Sequence, residues 1–205
     1  MKLFESFRAP NPRRVRWVMA EKGVTDIELV NIDLFKGEHK TPDYLARTGA
    51  ANVPALELDD GTTITESIAI CRYLESLYPE PNLFGRDAKE TAVIEMWTRR
   101  SEMMVGNPLM QAVRHTHPAL AALETQVPEV AENNRVTCER SLRLFEDQLG
   151  KHPFIAGDRI TMADIIAIVG VDFARMVKFR LPADMPNLAR WRETMLARDA
   201  AQAGV

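Results

Sequence analysis

Cysteine is scarce in this chain, with only Cys71 and Cys138 among 205 residues. They lie far apart in apolar surroundings, so neither a disulfide framework nor a C-x-x-C redox or zinc pair can be built from them, and a reducing cytosol suits them. Cys71 shares a helical face with Ile70 and Leu74 and reads as core; Cys138, among Arg135, Glu139 and Arg140, reads as partly exposed. Basic charge is not in excess. The 26 Lys and Arg stand against 29 Asp and Glu, a formal net charge of -3, which removes the electrostatic footprint of a general nucleic-acid binder. Long apolar runs are lacking too: the longest, residues 165–171, is bounded by Asp164 and Asp172 and is far shorter than the about 20 residues a bilayer span requires. The N-terminal Met1-Lys2-Leu3-Phe4-Glu5 shows no basic-then-apolar secretory pattern. His115-x-His117 stands without further ligands at metal spacing. These absences leave a cytoplasmic protein with small-molecule chemistry as the expectation, without metal, nucleic acid or membrane.

What is present is an ordered alternation of patterns. Residues 2–7 are strand-like, and residues 11–22 place Val15, Val18 and Met19 on one helical face before Gly23 stops the helix. Residues 28–32 form a second short strand, and Thr41-Pro42-Asp43-Tyr44 opens a helix with proline in its first turn. Two strands at 55–58 and 62–64 flank Asp59-Asp60-Gly61, a hairpin signal because glycine supplies the positive φ of a tight turn. A helix follows over 66–77. The order β-α-β-α-β-β-α predicts a mixed-sheet α/β domain over residues 1–78, and the proline-punctuated Tyr78-Pro79-Glu80-Pro81-Asn82 begins a linker at 79–86. Residues 87–205 carry no strand pattern but four amphipathic stretches, roughly 87–117, 128–149, 161–178 and 187–198, and predict an all-α domain. Within it Thr161-Met162-Ala163-Asp164 is a capping box stapled by Ile160 and Ile165, a structural element worth about 1 kcal/mol or more.

Two short segments suggest a ligand site. Val53-Pro54 precedes an apolar strand, where a proline removes a ladder donor. It is either an ordinary strand start or a cis-proline that frees the backbone of Val53 for an extended peptide. After the hairpin, Glu66-Ser67 opens a helix, either as a plain cap or as an anion seat at a helix N-terminus.

Together, Val53-Pro54-Ala55-Leu56, the Asp-Gly hairpin and Glu66-Ser67-Ile68-Ala69-Ile70 resemble, in order and spacing, the glutathione-site signature of soluble glutathione transferases. The segment from Gly37-Glu38-His39-Lys40 to Leu45 is similar to plant-type and bacterial members. The helical half fits through Phe154-Ile155-Ala156-Gly157-Asp158 and Ala163-Asp164. The resemblance implies a thioredoxin-like first domain with a four-stranded sheet, glutathione as co-substrate, a role in detoxification and a homodimer. It also implies that Val53, after Pro54, pairs with the cysteinyl backbone, that Glu66 and Ser67 receive the γ-glutamyl end, and that Lys40 with His39 faces the glycine carboxylate.

The chemistry is thiol activation, since the thiolate is the nucleophile and a free thiol has a pKa of about 8.5. Lowering it by about two units requires about 2.7 kcal/mol of preferential thiolate stabilisation. Aligned on Arg14-Val15, the position of a catalytic serine falls on Ala9, and no tyrosine or cysteine replaces it. Asn11 matches the asparagine of a bacterial subgroup and can donate to a thiolate; equally, Asn11-Pro12 has the pattern of an N-cap followed by proline. Ser6 is the alternative donor, placed within the strand pattern. The electrophile is expected in a cleft between the domains, against Met103, Met104, Asn107, Met110, Gln111 and His115, methionine-rich walls being adaptable. Trp97 and Trp191 read as packing, and Arg13, Arg14 and Arg16 as facing solvent or a subunit interface. A glutathione-dependent disulfide reductase or peroxidase, and a non-catalytic binding or assembly module, are the competing readings.

Overall fold

Leu3 and Phe4 form the buried middle of β1 (Lys2–Glu5), the strand on which the first unit is built. A computed structural model of the chain describes residues 1–203. β2 (Glu28–Asn31) pairs parallel to β1, β3 (Ala55–Glu57) pairs antiparallel on its other side, and β4 (Thr63–Thr65) closes the order β2-β1-β3-β4. The parallel β1–β2 pair needs a crossover, supplied by α1 (Pro10–Glu21). β1 stops at Glu5, so Ser6 and Phe7, expected inside the strand, lie in the turn that leads to α1.

Alternation along β1 sends Phe4 and Leu3 to opposite faces. Phe4 and Ala55 meet Tyr44 of α2 (Pro42–Thr48), with Ile32 completing the cluster and the Phe4 and Tyr44 rings edge to face at 6.1 Å. On the other face α3 (Ser67–Leu77) buries Ile70, Cys71 and Leu74 at helical spacing and packs on α1. The end of α1 is fixed by Gly23 at φ 65, which lets the Val24 N–H reach the Met19 carbonyl at 2.9 Å. Beside it the Lys22 ammonium donates to the carbonyls of Tyr78 and Pro81 at 2.7 and 2.9 Å and pairs with Glu75 at 2.7 Å. Three acceptors for three N–H donors make this buried cation affordable.

The second unit comprises residues 82–198. Its centre is α7 (Met162–Phe173), buried on every side from Met162 to Asp172, as a helix apolar all round must be. Around it run α4 (Ala88–Arg100), α5 (Asn107–Arg114), α6 (Pro128–Leu149) and α8 (Pro186–Leu196). The expected single helix over 87–117 is broken by a π-turn at Ser101–Gly106, in which the Asn107 N–H reaches back to the Glu102 carbonyl. Pro108 explains it: proline has no N–H for the carbonyl of Met104 and its ring crowds that carbonyl, so the helix widens by one residue ahead of it. There Gly106 meets α7; a Cβ on Gly170 would lie 2.8 Å from the Gly106 Cα.

Asp164 exceeds its expected capping role. Besides completing the box with the Thr161 N–H at 2.9 Å, its carboxylate accepts from the Thr161 hydroxyl, the Ile155 N–H and the Trp191 indole N–H at 3.0, 2.8 and 2.9 Å. Glu146 of α6 caps α8 from a distance, accepting from the Asn187 and Leu188 N–H groups at 3.1 and 2.9 Å. Cys138 is fully buried, not partly exposed. The C-terminal turn Asp199–Gln202, read from sequence as part of the helical domain, groups instead with residues 1–81 and packs on α1.

Candidate active site

The strand register assembles the site. Phe4 opposes Ala55 and Ala55 opposes Thr65, so the end of β1, the start of β3 and the end of β4 lie side by side, and parallel pairing sets Asn31 beside Glu5. Residues 6–11, 32–41, 53–54 and 66–67 all leave or enter the sheet at this one end.

The Val53–Pro54 peptide is cis. Val53 packs on the Phe4 cluster, and neither its N–H nor its C=O is taken up by a hydrogen bond among the described residues. Just before it, the buried Tyr44 hydroxyl donates to the Asn52 carbonyl at 2.6 Å, fixing where this open backbone begins. Burial pushes the Tyr44 pKa up to about 12, so the phenol remains a donor.

Glu66 caps α3 with φ 67 and ψ 116, a conformation costing a non-glycine residue about 1–3 kcal/mol, and such strain concentrates at ligand sites. Its side chain makes no capping bond, and the first intrahelical acceptor in use serves the Ile70 N–H. The N–H groups of the first turn therefore point outward unpaired within the helix, an anion seat in charge and geometry. Ser67 is buried, and beneath it the Arg14 guanidinium donates to its Oγ at 3.4 Å. The arginine cluster is thus not solvent-facing. Arg13 donates to the Ala201 carbonyl at 3.0 Å. Arg16 pairs with Glu5, donates to the Phe7 carbonyl at 2.6 Å and lies over the Phe7 ring; burial lowers its pKa to about 10.

The cap of α1 is Ala9, not Asn11. Asn11 sits inside the first turn, and its half-buried side chain has Oδ1 inaccessible and without a partner. Ser6 lies at the head of the turn, its carbonyl accepting the Ala9 N–H at 2.9 Å. His39 and Lys40 form a single turn, Glu38–Lys40, with His39 buried and Lys40 exposed. Burial lowers the His39 pKa, and the Lys40 charge acts in the same direction. Cys71 offers no thiol to the site, because burial raises it to about 12. Among the described residues no group of three or more His, Cys, Asp and Glu is placed to hold a metal, and no helix is long and apolar enough to cross a membrane.

The glutathione S-transferase N-terminal domain model matches residues 9–77, and the C-terminal domain model matches residues 101–199. The chain belongs to the glutathione S-transferase family. It is similar to glutathione S-transferase 2 of Saccharomyces cerevisiae, 35% identical over 98% of this chain and 88% of that one. The crystal structure of Gtt2 from Saccharomyces cerevisiae matches with a TM-score of 0.92 at 35% identity, covering 100% of both chains. That of the glutathione transferase URE2P6 from Phanerochaete chrysosporium, in complex with oxidized glutathione, matches with a TM-score of 0.82 at 27% identity over 97% and 91%.

As a glutathione transferase the chain has a four-stranded mixed sheet domain and a helical domain, as expected. In the helical unit Met103 is 60% exposed, Asn107 is exposed, and Met104 and Gln111 are half-buried around the π-turn and α5. Met110 belongs to the helical core, contrary to its expected place in a pocket wall. The half-buried His115 accepts the Val127 N–H on Nδ1 at 3.2 Å, a loop-fixing bond that sequence spacing could not show. Tyr44 and Asn52 carried no sequence signal for the sheet end, and Arg14 was visible only as one of three arginines of α1 expected at solvent or an interface.

Proposed function

We propose that this glutathione transferase, of the bacterial asparagine type, binds glutathione extended across the sheet end and stabilises its thiolate through Asn11 for attack on an apolar electrophile. One observation carries the reading: the register brings the open backbone of Val53, the strained N-terminus of α3 and the first turn of α1 to a single edge. Val53 would pair with the cysteinyl backbone. Glu66 and Ser67 would hold the γ-glutamyl end, and the exposed Lys40 the glycine carboxylate, with buried His39 shaping the turn. Asn11 has no capping duty, so its amide N–H₂ is available to donate to sulfur at a helix N-terminus, where the macrodipole acts in the same direction. An amide cannot accept the thiol proton, so Asn11 would act by electrostatic stabilisation and the proton would leave to solvent. We assign the electrophile to the Met103, Met104, Asn107 and Gln111 surface, and a cytoplasmic homodimer with a detoxifying role to the same reading.

The test is calorimetric titration of glutathione together with an activity panel of an aryl halide, a hydroperoxide and a mixed disulfide. Binding with turnover of the aryl halide is expected. Turnover of the mixed disulfide alone would move the assignment to a disulfide reductase, a reading favoured by the neighbour that holds oxidized glutathione. Absence of binding would refute the site.

A further inference from the structure

The buried guanidinium of Arg14 asks for a reason. It is 2% exposed, the most deeply buried of the three buried arginines Arg13, Arg14 and Arg16 on α1. Burying a cation is costly, and burial is tolerated where the charge serves a fixed partner. Two of the contacts that Arg14 makes fall on α3. Nη1 donates to Ser67 Oγ at 3.4 Å, and the Cys71 thiol donates to the Arg14 carbonyl at 3.9 Å. Both contacts act on the first turn and a half of α3, whose N-terminus also bears the strained Glu66.

A serine hydroxyl has one proton and two lone pairs. With Arg14 donating to one lone pair, the hydroxyl proton is turned away from the guanidinium and is left to donate to another acceptor. The positive charge behind Ser67 also adds to the potential of the free N–H groups, which already favours an anion. We propose that Arg14 is the positioning residue of the γ-glutamyl subsite: it presents Ser67 as a donor to the α-carboxylate of that group and deepens the positive potential of the α3 N-terminus. The inference rests on the reading that this helix end receives the γ-glutamyl group. Arg14 shares α1 with Asn11, but its guanidinium reaches Ser67 at the start of α3, so its effect is expected in binding rather than in the chemical step.

Glutathione would be titrated by calorimetry into the wild type, Arg14→Lys, Arg14→Met, Ser67→Ala and the Arg14→Met/Ser67→Ala double variant, with KM and kcat measured in parallel. Loss of the charge-assisted bond that orients the Ser67 hydroxyl, the donor to the carboxylate, predicts a rise of about tenfold in Kd and KM for Arg14→Met, with kcat within about twofold. Arg14→Lys retains the charge and is expected to recover part of the affinity. In the Ser67→Ala background the Arg14→Met effect should shrink to about threefold or less, because the two residues act through one contact. A merely structural arginine would lower the melting temperature and give equal losses in both backgrounds. Unchanged affinity in a folded Arg14→Met protein would overturn the proposal; if that variant does not fold, unchanged affinity in Arg14→Lys together with undiminished affinity in Ser67→Ala would do so. A wild type that fails to bind glutathione refutes the site itself, an outcome distinct from wild-type binding that Arg14 does not influence.

Discussion

At the scale of single residues, the role proposed for Asn11 and the burial of His39 each have a measurable consequence. Ala9 takes the capping position of α1, so Asn11→Ala should leave stability nearly unchanged. A hydrogen bond to a charged group contributes about 1.5–3 kcal/mol, so the same variant should lose about ten- to a hundredfold in kcat/KM, read in steady-state kinetics with glutathione saturation monitored separately. His39 carries a pH dependence. Its folded-state pKa is lowered by burial and by Lys40, so the unfolded chain takes up the proton first as pH falls. The stability gained from the neutral imidazole is therefore complete above about pH 6.5 and is lost as pH drops through the lower folded-state value. Replacing His39 by Gln should flatten the fall in melting temperature between about pH 7 and pH 5; an identical slope in both proteins would disprove this. Asn11 was recognisable from sequence as a helix-start residue, but its release from capping was not, because Asn-Pro and Ala-Pro both satisfy the pattern at this loop and only the backbone decides.

At the scale of elements, two contacts of α7 yield measurable consequences. The Asp164 carboxylate serves four donors in a fully buried setting, and the desolvation that raises its pKa is opposed by these same bonds. Asp164→Ala should cost about 3–5 kcal/mol in denaturant unfolding, well above the loss of an ordinary cap, because four buried donors lose their acceptor together. Gly170→Ala would drive a Cβ against the Gly106 backbone at 2.8 Å, and neither helix has a flexible side chain there to yield. A loss of about 1–3 kcal/mol is expected by the same measurement. The helices themselves were legible: α1, α3, α6 and α8 fall within a few residues of where periodicity and Gly or Pro punctuation put them. The π-turn was not, since the apolar period runs through Pro108 without a break and the widened turn answers to backbone sterics alone. The arginines of α1 misled for a related reason. Charge suggests solvent, but Arg13, Arg14 and Arg16 each find a buried or partly buried acceptor from a distant part of the chain, Ala201, Ser67 and Glu5.

At the scale of the whole molecule, the first unit is not complete at Pro81. Ala200 and Ala201 are buried, and Arg13 depends on the Ala201 carbonyl, so truncation after Arg198 should destabilise this unit by about 2 kcal/mol in thermal or denaturant unfolding. Local sequence patterns located Val53-Pro54 and Glu66-Ser67, each ambiguous alone. The antiparallel register is what joins them with Asn11 at one edge. At this edge we propose that glutathione binds and is held as a thiolate. The most direct test of this proposal is the ultraviolet titration of the enzyme-bound glutathione thiol in the wild type and in Asn11→Ala. The bound thiol is expected to titrate about two units below the free value of about 8.5, returning most of the way in the variant; a wild-type value equal to that of free glutathione, or a depressed value that Asn11→Ala leaves in place, would contradict it.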